Sequence, residues 1–323
     1  RSQITIMKNK KKILICGGTG FIGQNLLVNF SKQRKYKVYA TFNKKKKLKI
    51  KNINWIKADL TNKKDVNNAI KNKNIVVQAA ATTSGSKDIV NSPEIHVTDN
   101  AIMNSLIINS CNKFNIDHFI FFSCTVMYPH SRKYLKENSV NKLDMISDKY
   151  FGVGNTKVYI EKVCEFFSKI GKTKFTCIRH SNIYGQHDKF DLNKGHFFAS
   201  NLLKIHENKN GRIKIWGKGN EMRDMLHVDD LINFVNTVIN LQNDNFKLYN
   251  CTYGKSYKIL EIIKRMIKLS GKKIEIQHDL SKPSIPINIL VNSIKANKEI
   301  NWKPKINLDE GIKKTIKWMK ENL

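Results

Sequence analysis

A chain of 323 residues, 41% hydrophobic and 26% charged, can bury one large core or two adjoining ones and has the make-up of a globular protein. It holds no run of about 18 uncharged apolar residues, which argues against a transmembrane helix and membrane partners. Its formal charge of +32 suggests nucleic acid, but the lysines are scattered among asparagines, as AT-rich coding drift produces; anionic small molecules are the expected partners instead.

The basic run at 8–12 leads straight into a glycine-broken strand, which is not the pattern of a signal peptide. The six residues before Met7 read as an extraneous or misplaced start. The six cysteines show neither CxxC pairs nor metal-ligand spacing, so reduced thiols in the cytoplasm and no metal site are expected.

From the N-terminus, apolar runs predict strands at 13–16, 37–42 and 54–57, with a helix at 24–32 after the first. Next come a helix at 65–70, a strand at 75–79, a helix at 100–112 and a strand at 118–123. A helix at 157–169 and a strand at 175–179 continue the alternation, which indicates βαβ units and a parallel sheet covered on both faces. From 185 to 223 the chain reads as irregular, punctuated by Gly195, Gly211, Gly217 and Gly219. A helix near 230–240, a strand at 247–250 and a mixed C-terminal segment follow. The expected fold class is α/β, a doubly wound parallel sheet with a smaller mixed C-terminal lobe. Residues 7–185 form the nucleotide-binding domain, with 226–252 packing back on it; 186–225 and 253–323 form the substrate lobe.

The strongest local signal is Gly17-Gly18-Thr19-Gly20-Phe21-Ile22-Gly23, between the first strand and helix. Glycines at 17, 20 and 23 permit a tight turn, close approach of backbone to a pyrophosphate and close helix packing. The helix N-terminus then offers free N–H groups and partial positive charge to the phosphates. The second strand ends in Ala40-Thr41-Phe42-Asn43-Lys44, without the acid that NAD-selective sites aim at the ribose hydroxyls. Asn43, Lys44 and the rest of the lysine run 44–47 suit a 2′-phosphate, so NADP is the expected cofactor, with NAD still open.

With Lys57-Ala58-Asp59-Leu60 and Val76-Val77-Gln78-Ala79-Ala80-Ala81, this glycine spacing resembles the extended short-chain dehydrogenase/reductase family of NAD(P)-dependent epimerases and dehydratases. Arg179-His180-Ser181-Asn182-Ile183-Tyr184-Gly185, Trp216-Gly217-Lys218-Gly219 and Arg223-Asp224-Met225-Leu226-His227-Val228-Asp229-Asp230 look like its later signatures. Ser281-Lys282-Pro283, Lys295-Ala296 and Asn301-Trp302 follow its C-terminal pattern. The resemblance implies a Rossmann-like fold, a nucleotide-sugar substrate and a homodimer. It puts Asp59 and Leu60 near adenine, and Ala79, Ala80, Ala81, Asn100, Lys157 and His180 against the cofactor.

Met127-Tyr128-Pro129, the segment 184–190, Gly195-His196-Phe197 and Met222-Arg223 are most similar to the GDP-L-fucose synthase branch, epimerase–reductases of GDP-4-keto-6-deoxy sugars. That likeness makes His196 an acid/base for epimerisation and a substrate residue, beside Asn182, Lys204, Trp216 and Arg223. A 4,6-dehydratase is not expected, because Thr125-Val126 lacks the Asp-Glu pair such enzymes resemble.

The family's chemistry uses a Ser or Thr, a Tyr and a Lys: Tyr moves the sugar proton, Lys tunes it and holds ribose, and the hydroxyl positions the sugar oxygen. Lys157 fits its slot, but Val153 stands where the tyrosine belongs and Cys124 where the serine belongs, while Val126 replaces the epimerase's cysteine. Tyr150, one helical turn before Val153, is a candidate substitute, and a one-residue register change would bring in Ser123 or Thr125. Two readings stay open: a nucleotide-sugar 4-keto reductase or epimerase, or a non-catalytic protein that binds dinucleotide or nucleotide sugar with a degraded active site.

Overall fold

The computed structural model describes residues 10–45, 48–83, 92–140, 146–192, 194–281 and 288–323. The segment before Met7, and Lys46, Lys47, Lys282 and Pro283 of the sequence motifs, lie outside the described residues.

The first strand, β1 (Lys11–Cys16), shows why the fold has two wrapped faces, for Ile13 to Cys16 are all fully buried. Ile13 and Ile15 join Leu26, Leu27 and Phe30 of α1 (Phe21–Phe30) and Leu231, Val235 and Val238 of a helix at Val228–Leu241. Leu14 and Cys16 point the other way, onto Ile107 and Cys111 of a helix at Thr98–Lys113 and Ile160 and Cys164 of another at Phe151–Ile170. A strand buried on both faces reads as a continuous apolar run, as the parallel-sheet expectation requires.

In chain order, β2 (Tyr36–Phe42), β3 (Ile53–Lys57), α2 (Lys63–Ile70), β4 (Ile75–Gln78), α3 (Thr98–Lys113), β5 (His118–Cys124), β6 (Ser131–Leu135), α4 (Phe151–Ile170), β7 (Lys174–His180) and β8 (Asn182–Tyr184) follow. Then come α5 (Phe197–Glu207), β9 (Arg212–Trp216), β10 (Met222–His227), α6 (Val228–Leu241), β11 (Phe246–Cys251), β12 (Ser256–Lys258) and α7 (Ile259–Ser270). The chain closes with β13 (Glu275–Asp279), β14 (Ile289–Val291), α8 (Ile294–Ile300) and α9 (Leu308–Asn322). The main sheet has seven strands in the order β3-β2-β1-β4-β5-β7-β11, every neighbour parallel. Strand order reverses between β1 and β4, and such switch points open a crevice at the carboxyl ends of the strands. This is a doubly wound, Rossmann-like α/β fold.

A smaller lobe has its own core, in which Phe198 and Leu202 of α5, Ile262 and Met266 of α7, and Ile312 and Met319 of α9 pack on Ile213 and Ile215 of β9. Small sheets β12-β10-β8 and β13-β9 adjoin it, while β14-β6 packs in a separate cluster with Met127, Tyr128 and Ile146. Two local expectations need correction. The stretch read as irregular carries α5, β9 and the start of β10, because the buried residues Phe198, Ala199, Leu202, Leu203 and Ile205 give α5 an apolar face that its glycine-rich flanks obscure.

Helix α4 begins at Phe151, before the predicted 157, and runs through Gly152 and Gly154 despite their low helix propensity. A Cβ at Gly154 would meet Ile146 Cγ2 at 2.9 Å and one at Gly152 would meet Val97 Cγ2 at 3.0 Å, so these glycines serve close packing. Among the described residues, no helix is long and apolar enough to cross a membrane, no three His, Cys, Asp or Glu side chains gather as metal ligands, and the six cysteines are unpaired.

Candidate active site

The turn after β1 is held by Thr41 at the end of β2: Gly17 N–H donates to its Oγ1 and Gly18 N–H to its carbonyl, both at 2.9 Å. Each glycine of the motif has its own reason. Gly17 has φ +76°, and a Cβ there would sit 2.6 Å from Ala80 Cα, so β4's continuation presses directly on the turn. A Cβ on Gly23 would lie 2.1 Å from Gly17 O, which lets α1 seat on the loop. A Cβ on Gly20 would touch only Gly17 O, at 3.4 Å, so its outer side faces open space.

Gly20 is also the N-cap of α1, with no capping side chain and no acid in the first turn. The first N–H groups of a helix have no intrahelical partners, and here they front that open space. The loop therefore fits a pyrophosphate. Thr19 is half-buried, its carbonyl accepting from Gln24 Nε2 at 3.3 Å, while Phe21 and Ile22 turn into the core.

Around the loop, Asn100 is buried and fastens the chain after β4, its Oδ1 accepting from Thr82 N–H at 3.0 Å and its Nδ2 donating to Thr82 O and His96 O at 2.9 Å. Ala79 and Ala80 are half-buried beside the turn and Ala81 is exposed. Asp59 Oδ1 accepts from Thr61 N–H at 2.9 Å and Thr61 Oγ1 at 2.7 Å, bonds that lower its pKa, while Leu60 is buried. Asn43 and Lys44 are exposed just past β2, Lys44 near enough to favour the Asp59 carboxylate.

The second half of the crevice lies at the carboxyl ends of β5 and β7, paired through Ser123↔Arg179 and Cys124↔His180 without a break in register. The ladder carries no bulge at this end. Ser123 is fully buried and donates to Glu161 Oε1 at 2.6 Å, which keeps it out of the crevice. Thr125 is half-buried, its carbonyl accepting from Tyr128 N–H at 3.1 Å.

Lys157 donates from Nζ to Phe122 O at 2.8 Å and lies 4.7 Å from the Phe121 ring centre; burial lowers its pKa, against the pull of Cys124 and Glu161. Burial raises the Cys124 thiol, with Lys157 opposing. His180 Nδ1 lies 2.7 Å from Ser181 O, an acceptor, so Nδ1 carries the proton and Nε2 the lone pair. Burial, then Lys157 and His196, press its pKa down to about 4, leaving a neutral ring.

His196 stands at the N-cap position of α5 with no capping bond from its side chain; its surface is exposed, yet crowding by neighbouring atoms lowers its pKa, with Lys189 and His96 adding to the effect. Tyr150 is not on the helical stripe expected of it: it ends a short 3-10 turn, Asp148–Tyr150, and is the N-cap of α4. The cause is its own backbone, at φ −112° and ψ 7°, outside the helical range. Burial raises the Tyr150 hydroxyl, Arg223 opposes this, and Cys124 adds to it. Tyr150, Cys124, Lys157, His180 and His196 thus form a chain of groups that feel each other's charge, joined to β10 by Arg223.

The remaining substrate candidates lie on the smaller lobe. Arg223 Nη1 donates to Met222 O at 2.8 Å, and Asn182 Nδ2 to Asp224 O at 2.9 Å. Trp216 ends β9 with 40% of its surface exposed. Lys204 reaches Lys214 O at 3.3 Å, its pKa lowered by burial.

Beneath the crevice runs a buried network that sequence reasoning missed. Arg179 grips Glu161 with Nε at 2.9 Å and Nη2 at 2.7 Å, and Nη1 donates to the Tyr128 hydroxyl at 2.9 Å. Tyr128 donates in turn to Asn250 Oδ1 at 2.7 Å, and Asn250 N–H to Glu137 Oε1 at 2.8 Å. Asp224 accepts from Tyr253 N–H at 3.0 Å and Gly254 N–H at 2.6 Å, burial pushing its carboxyl up to about 6. Arg179 and Asp224 stood inside recognised motifs, but only the fold reveals their partners.

A family model described as the NAD dependent epimerase/dehydratase family matches residues 13–252. The chain is 26% identical to GDP-L-colitose synthase of Yersinia pseudotuberculosis over 95% of its own length and 97% of that protein's. It is 28% identical to a putative UDP-glucose 4-epimerase of Methanocaldococcus jannaschii, covering 96% of this chain and 99% of the other. Among solved structures it is similar to UDP-glucose 4-epimerase of Thermotoga maritima with UDP-glucose, at TM-score 0.83 and 22% identity over 96% and 99% of the two chains. It is equally similar in fold to a GDP-6-OMe-4-keto-L-xylo-heptose reductase from C. jejuni, at TM-score 0.84 and 21% identity over 98% and 99%. With the family model spanning most of the sheet and both halves of the crevice, the chain belongs to the NAD dependent epimerase/dehydratase family.

Proposed function

We propose that the protein is an NADP-dependent enzyme acting on a nucleotide-diphosphate sugar, as a 4-keto-6-deoxy-sugar reductase or epimerase. The observation that carries this is an open, uncapped glycine loop at the switch point, with Lys157 bonded to the end of β5, Cys124 and His180 paired at the ends of β5 and β7, and Tyr150 at the start of α4. In this reading Gly17, Thr19, Gly20, Phe21, Ile22 and Gly23 hold the pyrophosphate, Asp59 and Leu60 the adenine side, and Asn43 and Lys44 the 2′-phosphate. Ala79, Ala80, Ala81 and Asn100 form the wall, and Lys157 and His180 flank the nicotinamide end. The nicotinamide, when bound, supplies hydride exchange with the sugar carbon.

The chain's own residues supply protons and position. Tyr150 gives or takes the proton of the sugar oxygen, its hydroxyl pKa raised by burial, which Arg223 opposes. Cys124 and Thr125 position that oxygen, and His196 serves as the second acid/base group in epimerisation. Asn182, Lys204, Trp216 and Arg223 hold the nucleotide sugar. The end of β2, Ala40-Thr41-Phe42-Asn43-Lys44, carries no acidic residue, which supports NADP over NAD; a side-by-side titration in which NAD binds more tightly would overturn that choice. The working form is a cytoplasmic homodimer.

A second reading rests on Val153, which cannot transfer a proton: the protein would bind nucleotide sugar without turning it over. The test is hydride exchange from NADPH to a panel of nucleotide 4-keto sugars. One NADPH oxidised for each reduced sugar formed, or epimerised sugar formed with no net oxidation of NADPH, is the expected result. No turnover in the native protein, with turnover appearing in Val153→Tyr, would leave the binding reading in its place.

A further inference from the structure

Glu221 precedes β10 and is 8% exposed, yet its Oε2 finds no hydrogen-bond partner among the described residues. Leaving a buried carboxylate unpaired is costly, and this one sits in a chain with a +32 surplus of cations. Its backbone is fixed, for Glu221 O accepts from Ile259 N–H and Gly219 O from Leu260 N–H, both at 2.9 Å. Those bonds carry the β10–β12 ladder one residue past Met222↔Lys258. Strand alternation then places Glu221 and Arg223 on one face, with Asp224 turned the other way onto Tyr253 and Gly254. Five residues before Glu221, across a turn with positive φ at Gly217 and Gly219, stands the part-exposed indole of Trp216.

We infer that Glu221 reads the base of the nucleotide sugar and selects guanine. The inference rests on the nucleotide-sugar reading of this same lobe and adds the identity of the base. A carboxylate has two acceptor oxygens side by side and no donor. Guanine alone among the common bases presents two adjacent N–H donors, N1–H and N2–H, to match them. Uracil offers one N–H flanked by carbonyls, whose lone pairs oppose a carboxylate; adenine and cytosine set an amino group beside a bare ring nitrogen. The diphosphate, itself anionic, belongs with the Arg223 guanidinium on the same face, and the Trp216 indole supplies a plane for the base to stack on.

The test is calorimetric titration of the NADP-loaded protein with GDP, IDP and UDP, IDP being GDP without the N2 amino group. GDP should bind roughly 10–100-fold more tightly than IDP or UDP, the range that loss of a charge-assisted hydrogen bond produces. In Glu221→Gln, where an amide N–H replaces one acceptor, that preference should collapse, GDP affinity falling while UDP affinity holds or rises as the carboxylate's opposition to the uracil carbonyls is removed. The wild-type comparison of GDP with IDP needs no variant, so it holds even if Glu221→Gln folds poorly. Equal affinity for the three diphosphates, as a carboxylate on the ribose hydroxyls would give, overturns the inference and leaves the nucleotide-sugar reading standing. An unchanged GDP preference in a folded Glu221→Gln overturns it too. Failure of all three to bind defeats the nucleotide-sugar reading, and the base assignment with it.

Discussion

The Tyr150 hydroxyl lies within the influence of Arg223 and Cys124, one position before α4 begins. If it moves the proton, Tyr150→Phe should cut turnover by roughly 10²–10⁴-fold, the usual worth of a positioned acid or base, with dinucleotide affinity nearly intact. If Lys157 flanks the nicotinamide as proposed, Lys157→Met should lower both kcat and dinucleotide affinity. Steady-state kinetics beside a fluorescence titration would read the two effects apart. A harmless Tyr150→Phe in an active enzyme would hand the proton to His196.

Asp188 offers a test at the same scale on stability. Burial pushes its carboxyl up to about 7; Oδ1 accepts from Lys189 N–H at 2.7 Å, and Oδ2 has no hydrogen-bond partner among the described residues. The folded value lies above the ordinary carboxyl value of 3.8, so its contribution is fully present below that pH and is lost as pH rises through about 7. Asp188→Asn cannot ionise. Its melting temperature should gain on wild type between about pH 4 and pH 7 and hold that margin above, as a pair of thermal melts across pH would show. A constant difference at every pH would mean that the carboxyl titrates normally in the fold.

At the scale of elements, α1 owes its ligand end to a cap that is only backbone. Gly20→Val should abolish dinucleotide binding with little loss of fold, because the new side chain would enter open space that the pyrophosphate needs. Unchanged affinity for NADP or NAD in that variant would rule the loop out as the binding site. The same elements show what a sequence makes legible. Strands β1, β4 and β5 were readable because burial on both faces leaves apolar runs, β7 because only Thr176 interrupts its own, and the glycine loop because its spacing is a steric requirement.

Helix α5 and the first turns of α4 were not readable, since Gly152 and Gly154 are chosen for contact with Val97 and Ile146, which no local pattern announces. Nor was the exclusion of Ser123: its neighbour Cys124 was visible, but the direction of each side chain follows from the ladder with β7. The Tyr128–Asn250 bond, spanning 122 residues of sequence, lies beyond any window of periodicity. Tyr150 was legible as a residue type and misread as part of a helix.

At the scale of the molecule, a strongly cationic surface meets an exposed apolar face. On α4, Tyr159, Phe166 and Ile170 are 49%, 56% and 60% exposed, and their spacing of seven and four residues sets them on one side of the helix. On the adjacent α3, Ile102 is 43% exposed, and Ser105 Oγ lies 3.2 Å from the Tyr159 hydroxyl, which joins the two helices into a single face. A second copy, related by a two-fold axis, would cover this face with the same residues and form a four-helix contact.

The expected assembly is therefore a homodimer closed by α3 and α4, and Phe166→Glu should convert it to a monomer. Light scattering on eluting fractions would give the mass directly. Net charge supplies an independent readout, because two copies each carrying +32 repel one another. Raising ionic strength screens that repulsion and leaves apolar burial in place, so the dimer fraction of wild type should rise with salt. A dimer that dissociates as salt increases would be held by ion pairs instead of this apolar face, and a Phe166→Glu protein that stays dimeric would place the contact elsewhere.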